Sequence, residues 1–265
     1  FNQLNIPIGL VLLFLMGIGP LLSWNYTSQS VLLNRFKLPL SISFLSGLGY
    51  IIFSSLFQLY VFVAIMGVSF TLSSILGEFY KSYKKQKNSS NFLHSVVKMF
   101  LSNRHKNGGY IVHIGIVLLF IGFIGRAFEV EKEFSLSPGE QIYFSNYVFK
   151  LNSIKSEARD NHYAFLSEID VVDSSTNQLL TNLKPEKRIY FYWNSDPEKR
   201  QPHSELDIYS TIQKDIYSIF SGYDAQKNIG YFKIMINPLV NWVWIGGVLM
   251  VIGSLFAFWP SRRNS

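Results

Sequence analysis

The stretch KNGGYIVHIGIVLLFIGFIGR, from Lys106 to Arg126, holds a single titratable side chain, His113, between its two cationic ends. The apolar run around it is long enough to cross a bilayer, which takes ~20 residues. An ionisable group at that depth is costly, so it marks a candidate functional site. Three chemistries are open to it. A neutral imidazole can hydrogen-bond a neighbouring helix and serve packing alone. It can ligate a metal or heme iron, because imidazole is the usual axial donor and carries no charge penalty when neutral. It can also relay protons, but no intramembrane Asp or Glu is expected here to pass them on. A bis-imidazole heme needs a second histidine. The other four, His94, His105, His162 and His203, are expected outside the spans, so a partner ligand would lie on polypeptide absent from this chain. Arg126, at the far end of the run, most simply snorkels to the headgroups; contact with a heme propionate is its second option.

The helix carrying His113 has a second pattern. Gly108, Gly115 and Gly122 are seven apart and fall within about 40° of one another at ~100° per residue. Such a stripe lets another helix approach closely. His113 points roughly 160° away from Gly115 on the same wheel, so it faces a different neighbour. Other chemistries find no support. The runs HSE at 203–205 and SGYD at 221–224 give no nucleophile, base and orienting group together. No glycine-rich phosphate loop follows a strand, and no paired His or Cys spacing suggests zinc.

The composition explains what must hold His113 in place. Of 265 residues, 48% are hydrophobic and 15% charged, with mean hydropathy +0.18, against about 25% charge in soluble domains. Charge is unevenly spread: 16 of the 17 acids lie between Glu129 and Ile236, and the remaining one is Glu78. The net +7 therefore hides a weakly acidic domain and a basic membrane part. The basic part reads as cytoplasmic membrane flanks, and nucleic acid is not an expected partner. With no cysteine, the chain offers no disulfide, thiolate redox site or covalent heme attachment. No signal peptide is expected at Phe1, and a start inside an apolar run predicts further polypeptide upstream.

Five spans are predicted: Ile6 to Trp24, about 38–55, about 57–79 after a turn near Phe53–Gln58, about 108–127, and Pro238 to Trp259. The last has Asn237 as N-cap, Pro238 as first helical residue, and Trp242 and Trp244 at headgroup level. In domain terms, residues 1–80 give three transmembrane helices and 81–107 a basic cytoplasmic loop. Residues 108–128 form the span carrying His113, 129–236 an inserted domain, 237–260 the last span and 261–265 a cytoplasmic tail. Lys81, Lys84, Lys85, Lys87, Lys98, Arg104 and Lys106 crowd one loop. Arg262 and Arg263 in the tail, with Arg35 and Lys37 in the first loop, agree with it in giving N-terminus out and C-terminus in. Within the loop, SNFLHSVVKMFLSN is predicted to be a helix lying on the inner leaflet, with Phe92, Leu93, Val96, Val97, Met99, Phe100 and Leu101 on its apolar half and His94, Ser95, Lys98 and Ser102 on the other.

The inserted domain reads as β. EQIYFSNYVFKL, HYAFLSEIDVV, RIYFYW, DIYSTI and YFKIMI alternate with period two or run through aromatic and β-branched residues. Ser137-Pro138-Gly139, Asp173-Ser174-Ser175, Asn194-Ser195-Asp196-Pro197 and Ser221-Gly222 punctuate them as turns. The expected fold class is an α-helical integral membrane protein with an inserted extracytoplasmic β-rich domain, a small antiparallel sandwich or barrel. His162 and His203 read as ordinary surface residues of it.

Four stretches together carry a resemblance: FNQLNIPIGLVLLFLMGIGPLLSW at 1–24, GGYIVHIGIVLLFIGFIG at 108–125, PEKRIYFYW at 185–193 leading to KDIYSIF at 214–220, and NPLVNWVWIGGVLMVIGSLFAFWP at 237–260. LSPGE at 136–140 fits as well. In order and spacing they resemble the C-terminal half of CcmF, the heme-lyase subunit of the cytochrome c maturation system. The resemblance implies a b-type heme within the membrane, with His113 as an axial ligand. It also implies receipt of heme from a CcmE-like chaperone in the periplasm, and help in attaching it to the CXXCH motif of apocytochrome c. CcmH/CcmI-like apocytochrome-handling subunits, membrane lipids and the missing N-terminal half are the other implied partners, in the inner (cytoplasmic) membrane. The family's tryptophan-rich WWD segment, its flanking histidines and the second heme ligand have no match in this sequence, so ligation by this chain alone is not expected. Two rivals remain open: a membrane-anchored scaffold in which His113 is structural, and a heme or solute transporter subunit, for which broken polar spans would be expected.

Overall fold

In lipid every backbone N–H and C=O must find a partner within the protein, so long apolar runs fold as helices. The computed structural model describes residues 2–22, 28–54, 56–86, 92–190 and 202–259. Its helices are α1 (Asn2–Ile18), continued by a 3-10 turn at Gly19–Leu21, α2 (Gln29–Phe53), α3 (Leu59–Gln86), α4 (Phe92–Ser102), α5 (Arg104–Gly125) and α6 (Asn241–Phe258). All but α4 are long and apolar enough to cross a membrane. They form one compact unit, Phe1–Ala127 with Leu239–Ser265, and Phe128–Pro238 forms the other.

Two boundaries differ from expectation. Helix α2 begins at Gln29, which places Arg35 and Lys37 inside it rather than in a loop. The Arg35 guanidinium donates to the Leu21 carbonyl at 3.1 Å, so the end of α1 partners a charge carried by α2. The predicted cap of the last span is also corrected. Asn237 and Pro238 end a strand, Leu239 takes φ 63°, and the helix starts at Asn241 with Val240 as its N-cap. A proline lacks the N–H that would continue the ladder, so it closes a strand as readily as it opens a helix. Between α2 and α3 the Tyr50 hydroxyl donates to the Leu56 carbonyl and accepts from the Gln58 N–H, both at 3.1 Å.

Helix α4 turns Ser95 and Met99 inward, so its inner face includes a serine expected on the polar side. Asn107 explains the attachment: its amide donates to the Met99 and Phe100 carbonyls at 2.8 and 3.2 Å, satisfying carbonyls that the end of a helix otherwise leaves orphaned. The glycine stripe of α5 meets α6. A Cβ on Gly108 would lie 2.6 Å from that of Ala257, and one on Gly115 would lie 2.7 Å from the Gly246 carbonyl oxygen. Gly122 faces Val243, and Gly246 and Gly253 on α6 return the close approach. The opposite side of α5 packs Val117 onto Leu13 of α1 and Val68 of α3.

The second unit is a sandwich of two antiparallel sheets. One has the order β1 (Val130–Leu136), β10 (Ile229–Pro238), β9 (Lys214–Asp224), β8 (Asp207–Ser210). The other runs β2 (Gln141–Phe144), β3 (Tyr147–Ala158), β4 (His162–Asp173), β6 (Glu186–Tyr190), β7 (His203–Glu205), with β5 (Leu179–Leu183) also paired to β4. Alternation sets the core: Phe232, Ile234 and Ile236 of β10 point in, as do Phe149 and Leu151 of β3 and Ile169 and Val171 of β4. Phe220 of β9 stacks on Phe232 with ring centroids 4.9 Å apart. The predicted Trp24, Lys87, residues 191–193 of RIYFYW, the turn at 194–197, Arg262 and Arg263 lie outside the described residues.

Candidate functional site

Helix α5 places His113 near mid-span, roughly 14 Å along the axis from Arg104 and roughly 18 Å from Gly125 at ~1.5 Å per residue. Its Nδ1 lies 2.7 Å from the Gly109 carbonyl oxygen. A carbonyl can only accept, so Nδ1 carries the proton and donates. The Nε2 of the neutral ring then keeps its lone pair, and the hydrogen bond fixes both tautomer and ring orientation. The ring sits one turn from Tyr110, which packs edge-on against Phe79 of α3, and one turn from Val117. It is half-buried, on a side of the helix away from the glycine stripe that α6 covers.

The other candidates are not gathered around it. Arg126 is exposed in a 3-10 turn at the end of α5, roughly 20 Å further along the axis and about 140° around it. His105 is exposed near the start of α5 and His94 is exposed on α4. Among the described residues no group of three His, Cys, Asp or Glu side chains could hold a metal ion. His162 corrects the surface assignment: it is only 8% exposed. Its ring lies 5.0 Å from that of Tyr190, its Nδ1 is 2.6 Å from the Asn161 side-chain oxygen, and its Nε2 is buried without a partner. Beta pairing of His162 with Tyr190 puts the imidazole beneath an aromatic, a cross-strand contact that local sequence does not reveal. His203 is exposed, with its ring 5.7 Å from that of Tyr190 and nearly perpendicular to it.

Glu78, the lone acid of the basic part and the last residue but one of the predicted 57–79 span, was given no role there. It lies in α3, 9% exposed, and accepts from Lys81 at 2.9 Å and from Lys106 at 3.0 Å. Its being the lone acid in the basic part was a usable signal. The Lys106 partner, 28 positions on, was not legible. In the sandwich, Glu186 holds Arg188 at 2.8 Å and Arg159 at 3.3 Å, and Arg188 also reaches Glu205 at 3.2 Å. Burial pushes the Glu186 carboxyl up, but the Arg188 hydrogen bond and the two guanidinium charges outweigh it and hold the group below its ordinary value.

With this geometry in view, comparison with known proteins gives a consistent answer. Residues 127–238 match the family model described as the CcmF C-terminal beta-sandwich. In that domain the chain is similar to CcmF proteins. The cytochrome c-type biogenesis protein CcmF of Haemophilus influenzae is 24% identical over 263 residues, covering 99% of this chain and 38% of that protein. The probable cytochrome c-type biogenesis protein NrfE of Escherichia coli K12 is 25% identical over 155 residues, 58% of this chain and 26% of that one. A solved structure titled cytochrome c heme lyase CcmF superposes with a TM-score of 0.73 at 21% identity, covering 98% of this chain and 40% of its own. At that identity it shows the shared fold: membrane helices with a β-sandwich. The CcmF-like chain thus spans about two-fifths or less of the length of these proteins.

Proposed function

We propose that this CcmF-like chain is the C-terminal part of a cytochrome c heme lyase, and that His113 is one axial ligand of a b-type heme held within the membrane. One observation carries the reading: the Gly109 carbonyl takes the Nδ1 proton at 2.7 Å, leaving the Nε2 lone pair of a mid-span imidazole for iron. When bound, the heme supplies one-electron redox chemistry, and the axial donor tunes its potential. The chain's own part is to hold the imidazole neutral, in one tautomer and one orientation. Hydrogen bonding to the carbonyl fixes the tautomer and the ring orientation, and the apolar helices around it keep water away. The second ligand is assigned to the polypeptide that completes the protein, and Arg126 to the headgroup region.

In this reading the sandwich lies in the periplasm and the basic connections in the cytoplasm, following the distribution of Lys and Arg. The complete protein would take heme from a CcmE-like chaperone and join it to apocytochrome c presented by CcmH/CcmI-like subunits, with the sandwich as the docking domain. The test is a reduced-minus-oxidised spectrum of the complete assembly, comparing wild type with His113→Ala at equal protein level. Loss of a low-spin b-type signal with assembly intact is expected. An unchanged spectrum would reduce His113 to a packing residue. Docking is tested separately by excising 129–237 with a short linker in its place; unchanged pull-down of the subunits and unchanged cytochrome c yield would refute it.

A further inference from the structure

A second polar feature of the helical unit has no part in the chemistry at His113. A cavity of about 960 Å³ opens among the end of α1, the start of α2, the last turns of α3 and the start of α5. Arg35, Lys81, Lys85 and Lys106 line it, against one carboxylate, Glu78. The lining therefore carries a net charge of +3, four cations less one acid. Its α1–α2 side is largely apolar, with Leu21, Leu22 and Leu38 among the lining side chains.

Glu78 gives this cluster its order. Lysine ammonium groups are normally mobile, but Glu78 holds those of Lys81 and Lys106 at 2.9 and 3.0 Å, drawing together cations from two helices. Each ammonium has three donors, and the carboxylate uses one of each. The Lys106 ammonium is further steadied 5.4 Å from the Tyr110 ring centroid. Arg35 is anchored through Nη1 on the Leu21 carbonyl and brings a planar fork suited to phosphate oxygens. Such a cluster, with an excess of fixed cations and low-dielectric helices around it, concentrates anions.

The level of the cavity identifies the anion. All four contributing helix ends lie at the end of the unit where the lysine-rich connection emerges, and the anion found at that depth in a bilayer is the lipid phosphodiester. Basic pockets between helices at this level take anionic headgroups. Its volume falls at the upper end of the range for small-molecule pockets, enough for a headgroup, while the apolar side suits the upper part of the acyl chains. We propose that this cavity binds a phosphate group, supplied by the headgroup of an anionic phospholipid.

The test uses the protein purified from membranes and reconstituted in phosphatidylcholine vesicles with 20% phosphatidylglycerol, reading by mass spectrometry the phosphatidylglycerol retained after detergent washing. Wild type is expected to retain it. Arg35→Gln combined with Lys85→Gln is expected to bind it roughly 30-fold more weakly, since each cation near a headgroup is worth about a fivefold change. Lys85→Gln alone, at an exposed side chain, should lose roughly fivefold even if the double variant fails to fold. Lys84→Gln, one residue away and outside the cavity, should change nothing. If no lipid is retained but millimolar inorganic phosphate raises the melting temperature of wild type and not of Lys85→Gln, the site is a phosphate site fed from solution. Equal retention of phosphatidylglycerol by wild type and Lys85→Gln, with no phosphate effect, would overturn the proposal. None of these readouts depends on heme, so failure here leaves the His113 spectrum untouched.

Discussion

The two units hold themselves together in opposite ways. In the helical unit the tightest contacts are backbone on backbone: Gly115 faces Gly246, and Gly108 and Gly253 bring α5 and α6 together with no room for a methyl group. In the sandwich they are side chain on side chain, with Phe220, Phe232, Phe149 and Leu151 fully enclosed. Lipid is as apolar as leucine, so helices gain little from burying large side chains and much from close approach. Facing water, the sandwich gains from each buried methylene. Adding atoms should therefore damage the first unit, and removing them the second.

The largest effect is expected for Phe220→Ala. It deletes a stacked ring from the closed core and should cost about 3–5 kcal/mol, read as loss of trypsin resistance across 128–238. Next comes Gly115→Leu. Its side chain would need the space of Met250 and the Gly246 carbonyl, and overpacking of this kind costs about 1–3 kcal/mol, read as a lower melting temperature in detergent. Gly247→Leu sharpens the contrast, because nothing lies within 4 Å of its added Cβ and the melting temperature should not move. A damaging Gly247→Leu, or a harmless Gly115→Leu, would break the comparison.

A smaller effect is expected at Glu186. Its partly exposed pairs with Arg159 and Arg188 are worth about 0.5–1 kcal/mol together, which Glu186→Gln should remove at neutral pH. The folded carboxyl titrates below its ordinary value, so its contribution is full above the unfolded pKa and disappears as pH falls through the lower folded one. Wild type and Glu186→Gln should therefore converge in melting temperature in acid and differ most near neutrality.

How far the sequence could be read follows the same division. Hydropathy located the spans and alternation located β3, β4 and β10, because each pattern is local. The glycine stripe on α5 announced a neighbour, and α6, carrying Gly246 and Gly253 at the same spacing, is that neighbour. Arg35 and Lys37 misled because charge was read as loop, whereas a carbonyl on another helix accepts from Arg35. Pro238 misled because strand and helix signals meet there. His162 and Glu78 depend on partners 28 positions away, Tyr190 and Lys106, and no local rule finds those. That His113 lies in the middle of a long apolar helix was legible in the sequence; its hydrogen bond to Gly109 was not.

The sandwich begins and ends on neighbouring strands, with Val130 of β1 paired to Ile236 of β10, and adjacent strands lie about 4.8 Å apart. The helices on either side, α5 and α6, are themselves in contact at Gly122 and Val243. To the helical hairpin, more than a hundred residues of β structure therefore count as a short loop, with little chain entropy charged for the length between the ends. In genetic terms the domain is a cassette: another whose first and last strands are neighbours should fit between the same two helices without altering their packing.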